Sequence, residues 1–164
     1  MGQQTEVAAG TQAVGVQDMT VADVLRDKGN DVLSIGPHAS IRQAIDLFAQ
    51  NSVGALLVMN DRDEILGILS ERDIMRSMAR DFDGTGKLTV GDLMVTKVIV
   101  GLRDHTLDYV MSLMTAQRIR HLPVVDQGKL AGIISIGDVI KTQARQATLD
   151  VHYLTDFIHG QYPA

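Results

Sequence analysis

The sequence predicts an α/β (α+β) domain built from two tandem copies of one strand–helix–strand–strand–helix unit. The strongest observation is a duplicated segment, which reads ILGILSERDI at residues 65–74 and LAGIISIGDV at residues 130–139. Both versions reduce to glycine, two aliphatic residues, serine, two variable residues and aspartate. The match extends over roughly sixty residues per copy, which suits a supersecondary unit, and two copies are too few for a solenoid. A second observation is the apolar content of 45% in 164 residues, which suffices to bury a single core.

Each copy opens with a short strand and a capped helix. Strands are predicted at residues 31–35 and 97–102, each followed by turn-forming residues. Ser40, with Gln43 three residues later, forms a capping box, and apolar residues follow it at helical spacing. Thr106 occupies the equivalent position in the second copy, so both copies are predicted to continue with a helix.

Each copy then closes with a hairpin and a second helix. In the first copy, strands at 54–59 and 64–69 flank the polar turn at 60–63. The second copy repeats this arrangement. A second helix is predicted after the serine of the doubled motif, beginning near Asp73 in one copy and near Asp138 in the other.

These elements divide the chain into five segments. The Gln-, Gly-, Thr- and Ala-rich start predicts an extension without a core of its own, and the Gly-rich polar stretch between the copies predicts an exposed turn. Apolar residues at helical spacing after the second copy predict a helix with Gly160 and Pro163 as stop signals. The predicted segments are an N-terminal extension at 1–17, copy one at 18–80, a linker at 81–88, copy two at 89–147 and a helical tail at 148–164.

Composition excludes several classes of function. The chain has no cysteine, which removes disulfides, thiolate catalysis and cysteine-bound zinc, and which is typical of a cytoplasmic protein. Its longest apolar stretches, such as residues 55–59, fall far short of the roughly 20 residues that a membrane span needs. The formal charge of -5 argues against a nucleic-acid partner, because Lys and Arg contacts to phosphates supply most of that affinity.

Known catalytic and metal-binding motifs do not match. Residues 81–88 contain glycines and a lysine but lack the first glycine and the Ser or Thr of a phosphate loop, and the ligands of a calcium loop are incomplete. The five histidines have no close ligand spacing, and no nucleophile-base set is visible. The sequence therefore predicts a protein that is not an enzyme and has no metal site.

The doubled Ser-x-x-Asp has two interpretations that the residues alone leave open. It is an ordinary capping sequence, in which the serine satisfies backbone donors and the aspartate complements the positive end of the helix. It also has the geometry of a nucleotide site. Free N–H groups at a helix start bind phosphate, and a carboxylate there accepts both hydroxyls of a ribose.

The doubled motif, the strand RIRHLPVVD at residues 118–126 and the duplication itself together resemble the CBS domain pair, the regulatory module named after cystathionine beta-synthase. The resemblance covers about residues 19–147 and is strongest to stand-alone bacterial CBS-pair proteins. It implies two sheet-and-helix halves packed about a pseudo-twofold axis. It also implies two clefts between the halves, which in this family often bind adenosine-containing ligands.

The two copies differ where a phosphate would bind. Arg120 and His121 precede Leu-Pro in the second copy, whereas Gly54 and Ala55 stand at the aligned positions of the first. Guanidinium pairs with phosphate in a bidentate manner, and histidine adds a donor whose charge depends on pH. On the residues alone, simple exposure on a strand edge is the alternative. The resemblance implies a main nucleotide site formed by Lys28, Val32, Leu33, Val53, Arg120, His121, Pro123, Ser135, Gly137 and Asp138.

The resemblance also assigns roles within that site and implies a second one. Asp138 would hold the ribose, Ser135 would approach the phosphate, and Gly137 stands where relatives often have a hydroxyl residue. The second cleft is expected to lack the basic pair, so that Arg72 supplies one positive charge in its place and binding there is weaker. The predicted second-site residues are Gly54, Ala55, Ser70, Arg72, Asp73, Val98, Ile99 and Ile119.

The predicted function is that of a cytoplasmic, non-catalytic sensor in which an adenine nucleotide changes the packing of the two copies. AMP is the first expectation for the ligand, with ADP, ATP or NAD as alternatives. Two further alternatives stay open. The ligand is S-adenosylmethionine, or the chain is a structural stress protein whose clefts are empty. The apolar tail residues Val151, Leu154 and Ile158 predict a helix that either covers the domain itself or helps to form a homodimer. A protein target is not encoded in any visible motif.

Overall fold

The computed structural model describes residues 18–158, without the side chains of residues 153 and 156–158. The predicted extension at 1–17 and the predicted stop signals at Gly160 and Pro163 lie outside these residues. The elements, in chain order, are α1 (Val21–Lys28), β1 (Ser34–Ile35), α2 (Ile41–Asn51), β2 (Ala55–Met59), β3 (Ile65–Ser70), α3 (Glu71–Arg80), α4 (Phe82–Thr85), α5 (Val90–Leu93), β4 (Gly101–Leu102), α6 (Leu107–Gln117), β5 (His121–Asp126), β6 (Lys129–Ser135) and α7 (Ile136–Ile158).

Each copy forms its own three-stranded sheet. In the first copy β2 pairs in parallel with β1 and antiparallel with β3, and in the second copy β5 pairs with β4 and β6 in the same way. The predicted α/β class and the tandem strand–helix–strand–strand–helix order are confirmed. The first strand of each copy is shorter than predicted, because only two residues of β1 and of β4 pair with a neighbour.

The predicted helix caps are also confirmed. Ser40 Oγ accepts a hydrogen bond from the Gln43 backbone N–H at 3.2 Å, and Gln43 Oε1 accepts one from the Ser40 N–H at 2.9 Å. In the second copy Thr106 Oγ1 accepts from the Tyr109 N–H at 3.2 Å. Each such cap stabilises its helix by about 1 kcal/mol.

The helix that precedes each copy packs on the other copy. Val21, Val24 and Leu25 of α1 are buried in the core of the second copy, against residues such as Leu122 and Ile134. Each fully buried aliphatic side chain contributes about 1.5–3 kcal/mol. The exchange of these segments therefore joins the two copies into one folded unit.

The reverse exchange uses α5. Val90 is buried in the core of the first copy, together with Ile41 and Leu69. Isolated bridges mark both crossings: Thr20 pairs with Thr106, and Ser40 pairs with Thr89.

The glycine of the doubled motif lies under the exchanged segments. A Cβ atom at Gly132 would lie 2.6 Å from Leu25 Cδ2, and one at Gly67 would lie 2.8 Å from Met94 Sδ and 2.9 Å from the Val95 carbonyl oxygen. Real Cβ contacts are not this short. The glycine is repeated because a segment of the other copy crosses directly over it.

The helices α1 and α5 were not predicted from the sequence. Both begin at a threonine with an aspartate three residues later, which is itself a capping signal. The Thr20 N–H donates to Asp23 Oδ2 at 2.8 Å, and the Thr89 N–H donates to Asp92 Oδ2 at 2.8 Å. The signal was present, but these segments are short and lie outside the predicted strand–helix–strand–strand–helix unit.

The expectation that the linker is an exposed turn is only partly met. The linker is not simply an exposed turn, because it contains α4 and because Thr85 is buried. The Thr85 hydroxyl donates to the Asp81 carbonyl oxygen at 2.7 Å and lies 2.8 Å from Ser77 Oγ, which ties the linker to α3. The predicted helical tail is the later part of α7, which runs unbroken from the second copy into the tail. Within residues 18–158, no helix combines the length and the hydropathy that a membrane crossing requires.

Candidate functional site

A cavity of about 540 Å³ opens between the two copies. This volume lies within the range of roughly 300–1,000 Å³ that is typical of small-molecule sites. The first copy contributes residues at the junctions of β2, β3 and α3, namely Gly54, Ile68, Ser70, Glu71, Arg72, Asp73 and Arg76. The second copy contributes the segments before β4 and around the start of β5, namely Val95, Lys97, Val98, Ile99, Gln117, Arg118, Ile119, Arg120, His121 and Pro123.

Asp73 presents a carboxylate to this cavity. Because β3 ends at Ser70 and α3 begins at once, the aspartate lies in the first helical turn. The backbone N–H and the hydroxyl of Ser70 donate to Asp73 Oδ2 at 2.9 and 2.6 Å. Within residues 18–158, Asp73 Oδ1 accepts no hydrogen bond, so it is available to a ligand hydroxyl.

Asp138 has the same local geometry but a different partner. The backbone N–H and hydroxyl of Ser135 donate to Asp138 Oδ2 at 2.7 and 2.9 Å. Lys28 Nζ donates to the same oxygen at 2.6 Å and to the Ile133 carbonyl oxygen at 2.9 Å. Burial raises the pKa of Asp138, but the hydrogen bonds from Lys28 and Ser135 outweigh it and leave the pKa below its ordinary value.

Two lysines at corresponding positions behave differently. Lys28 follows Thr20 at the same distance in the sequence as Lys97 follows Thr89. Lys28 forms an ion pair with Asp138, whereas Lys97 lines the cavity and forms no ion pair within the described part of the chain. The ammonium of Lys28 therefore occupies Asp138 Oδ2, whereas that of Lys97 has no carboxylate partner among residues 18–158.

Gly54 makes room for His121 at the edge of the cavity. A Cβ atom at Gly54 would lie 3.2 Å from both Cε1 and Nε2 of His121. The absence of a side chain in the first copy therefore admits the imidazole ring of the second copy.

His121 lies between the charged groups of both clefts. Burial is the largest cause that lowers the pKa of its imidazole, and the positive charges of Lys28, Arg120 and Arg72 lower it further. The negative charge of Asp138 acts in the opposite direction and is outweighed. The imidazole is therefore neutral in the free protein at pH 7 and becomes easier to protonate when an anion binds beside it.

Several residues of the predicted main site lie at the cavity of the predicted second site. Arg120, His121 and Pro123, which were expected in the main site, line the cavity of the predicted second site. Arg120 and His121 thus lie at this cavity, although the sequence predicted that this cleft lacks the basic pair. The reason is that the start of β5 crosses to the first copy, where Gly54 leaves space for it. The predicted second-site residues that line the cavity are Gly54, Ser70, Arg72, Asp73, Val98, Ile99 and Ile119, whereas Ala55 is buried in β2 and does not line it.

The rest of the predicted main site lies elsewhere. Leu33 and Val53 pack against the core of the first copy. Lys28, Ser135 and Asp138 form the hydrogen-bonded cluster described above. The residues of the predicted main site that do not line the cavity are Lys28, Val32, Leu33, Val53, Ser135, Gly137 and Asp138.

Three cationic residues of the cavity were missed. Arg76 follows Arg72 by one helical turn on α3, and this spacing could have identified it. Lys97 could have been found by aligning it with Lys28. Arg118 is the C-cap of α6 and has the left-handed conformation, with φ of 55°. No sequence signal predicts that its side chain lines the cavity.

Comparison with known proteins identifies this architecture. The CBS domain family model matches residues 21–80 and 90–145. The chain is 30% identical over 156 residues to the CBS domain-containing protein CBSX3, mitochondrial, of Arabidopsis thaliana, which covers 90% of this chain and 76% of that protein. A tandem pair of α/β motifs with a ligand-sized cleft between them thus defines the class. The chain belongs to the CBS domain family, as a CBS pair.

Solved structures agree with this assignment. The CBS-domain containing protein ATU1752 from Agrobacterium tumefaciens is similar with a TM-score of 0.75 and 38% identity, over 76% of this chain and 99% of that one. CBSX2, solved in complex with AMP, is similar with a TM-score of 0.61 and 28% identity, over 77% of this chain and 97% of that one. Within residues 18–158, no three His, Cys, Asp or Glu side chains are grouped so that they could hold a metal ion.

Proposed function

We propose that this CBS pair is a regulatory module, not an enzyme, that binds an adenine nucleotide in the 540 Å³ cavity. The observation that carries the proposal is the pairing of a free carboxylate oxygen with cationic side chains in one cavity. Asp73 supplies the carboxylate, and Arg72 and Arg120 supply cationic groups near it. The AMP complex of CBSX2 supports a nucleotide as the ligand class.

The cavity offers a partner for each part of a nucleotide. Asp73 Oδ1 can accept from a ribose hydroxyl, as a charge-assisted hydrogen bond. The start of α3 and the side chain of Arg120 can hold phosphate, because free backbone N–H groups and guanidinium both favour anions. Half-buried apolar side chains form a wall on which adenine can lie, namely Val98, Ile99 and Ile119.

Regulation follows from the two-copy construction of the cavity. A ligand shifts a conformational equilibrium only if it binds one arrangement more tightly than another. Here Asp73 comes from the first copy and Arg120 from the second, so a ligand that contacts both favours their present spacing. Nucleotide binding would therefore change the packing of the copies and the surface they present to a protein target.

The charge of the cavity also ranks the alternative ligands. S-adenosylmethionine carries a sulfonium cation and no phosphate, so a cationic lining disfavours it. NAD carries two phosphates and stays an alternative to AMP, ADP and ATP. The cavity is open to ligands of this general size.

We further propose that the chain forms a homodimer through α7. Ile140, Val151 and Leu154 are 51%, 64% and 57% exposed. They fall on one face of the helix, because a spacing of 11 residues is close to about three turns. The alternative expectation, that this helix covers its own domain, is not met for these side chains. A second copy of the chain is the proposed cover.

The test of the nucleotide proposal is a thermal-melt panel with AMP, ADP, ATP, NAD and S-adenosylmethionine. A ligand at 100 times its dissociation constant stabilises the protein by about 2.7 kcal/mol. For a chain of this size that corresponds to a rise in Tm of about 5–11 °C. The variants Asp73→Asn and Asp138→Asn form a matched pair, because both change a capping aspartate.

We expect the nucleotide shift to be lost in Asp73→Asn and kept in Asp138→Asn. The absence of a shift with every nucleotide would contradict the proposed function. A shift that is lost only in Asp138→Asn would move the site to the other cleft.

A further inference from the structure

The cavity concentrates the positive charge of an acidic protein. It is lined by five of the chain's 15 lysine and arginine residues and by two acidic residues, Glu71 and Asp73. The whole chain carries a formal charge of -5. The five cationic residues are Arg72, Arg76, Lys97, Arg118 and Arg120.

Among the residues that the structure describes, none of these five cationic side chains has a carboxylate partner. Within residues 18–158, the ion pairs involve other cations, namely Arg26, Lys28, Arg42, Arg103 and Arg145. The two acidic residues of the cavity do not compensate, since the hydrogen bonds that Asp73 accepts come from Ser70. Like charges that share a cleft raise its potential, and a bound anion relieves that repulsion.

The cations come from different elements and surround the cavity. Arg72 and Arg76 lie one turn apart on α3 of the first copy. Lys97, Arg118 and Arg120 come from the segments before β4 and β5 of the second copy. A single phosphate group has three terminal oxygens, so it can satisfy only some of these five cations through short, directional hydrogen bonds. A chain of phosphates can contact several at once.

We propose that the cavity selects adenine nucleotides with two or three phosphates over the monophosphate. The proposal rests on the proposed function and deepens it. Arg72 and Arg120 lie close enough to His121 for their charges to act on it, and they serve the phosphate nearest the ribose. Arg76, Lys97 and Arg118 take the additional phosphates and act as the specificity-determining residues.

The experiment is a calorimetric titration of adenosine, AMP, ADP, ATP and inorganic tripolyphosphate in magnesium-free buffer. A hydrogen bond to a charged group contributes about 1.5–3 kcal/mol, so we expect ATP to bind at least about tenfold more tightly than AMP. In the double variant Arg76→Gln/Arg118→Gln, ATP affinity should fall by about tenfold or more, while AMP affinity stays within about threefold. Arg80→Gln is the matched control, because Arg80 lies on α3 but does not line the cavity.

The outcomes separate this inference from the function on which it rests. AMP binding as tight as ATP binding in the wild type would overturn the phosphate selection and leave the nucleotide site in place. Tripolyphosphate binding as tight as ATP binding would overturn adenine recognition. Loss of ATP affinity in Arg80→Gln equal to that in the double variant would overturn the assignment of Arg76 and Arg118. Failure of every nucleotide to bind would overturn both proposals.

Discussion

Lys28 Nζ lies 2.6 Å from Asp138 Oδ2, although the two residues are 110 positions apart in the chain. The ion pair joins the end of α1 to the start of α7. It also engages the carboxylate that would hold a ribose in the second of the two related clefts. The corresponding residues Lys97 and Asp73 form no such pair within residues 18–158, and the cavity lies between them.

We predict that Lys28→Met increases the number of nucleotides bound per chain from one to two. Methionine keeps much of the aliphatic side chain but removes the ammonium group that donates to Asp138 Oδ2 and so lowers the positive charge beside Ser135. Isothermal titration calorimetry with ATP measures the stoichiometry. Arg26→Met is the matched control, since its ion pair with Asp23 is on the exposed side of α1. A stoichiometry of one in both variants would show that the lysine does not block the second cleft.

Gly132→Ala should lower the free energy of unfolding by about 1–3 kcal/mol, because the new methyl group would collide with Leu25. Urea denaturation monitored by circular dichroism measures the change. Gly36→Ala is the control, because no atom lies within 4 Å of a Cβ there, and it should change the unfolding free energy by less than about 0.5 kcal/mol. Equal midpoints for the two variants would contradict the close crossing of α1 over β6.

Nucleotide affinity should rise as the pH falls from 8 to 6. The pKa of His121 is held below 6.5, first by burial and then by the charges of Lys28, Arg120 and Arg72, against the opposing charge of Asp138. A bound phosphate raises that pKa, so binding takes up a proton. The free energy of unfolding of the free protein has the opposite pH dependence to nucleotide affinity. It falls as the pH drops below 6.5, because His121 binds a proton more readily in the unfolded chain than in the folded one.

Calorimetry in two buffers with different ionisation enthalpies counts the protons taken up on binding. His121→Gln is the control, since it removes the imidazole and leaves the titration of the nucleotide's own phosphate, whose pKa is about 6. Equal proton uptake by the wild type and this variant would mean that His121 does not sense the ligand.

The exposed face of α7 predicts a dimer in solution. Light scattering at micromolar concentration should give twice the mass of the chain. Leu154→Lys places a charge on the face that carries Ile140 and Val151, and it should reduce the mass to that of one chain. Leu149→Lys is the matched control, because Leu149 is also exposed but lies on the opposite face of the helix. A monomeric wild type would rule out this interface.

Local elements were predictable because their signals are local. The capping box of Ser40 and the cap at Thr106 depend on residues within one helical turn, and both are confirmed. The doubled motif placed β3 before α3 and β6 before α7 for the same reason. The family resemblance was correct because the motif recurs in register in two copies, which a single copy could not establish.

The assignment of residues to clefts was not predictable from one sequence. It depends on how the copies pack, and that packing is decided by distant contacts such as Leu25 on Gly132. The approach of His121 to Gly54 is another contact between distant parts of the chain, since the two residues lie in different copies. The ion pair of Lys28 with Asp138 likewise forms only after the opening helix has crossed to the second copy.

The most direct test of the central claim is the crystal structure of the protein with ATP. We expect electron density for the nucleotide in the cavity between the copies, with a ribose hydroxyl bonded to Asp73 Oδ1 and phosphates in contact with Arg120 and Arg76. The Lys28–Asp138 ion pair should remain intact. A nucleotide bound beside Asp138, with the cavity at Asp73 empty, would contradict the assignment of the site to the Asp73 cleft.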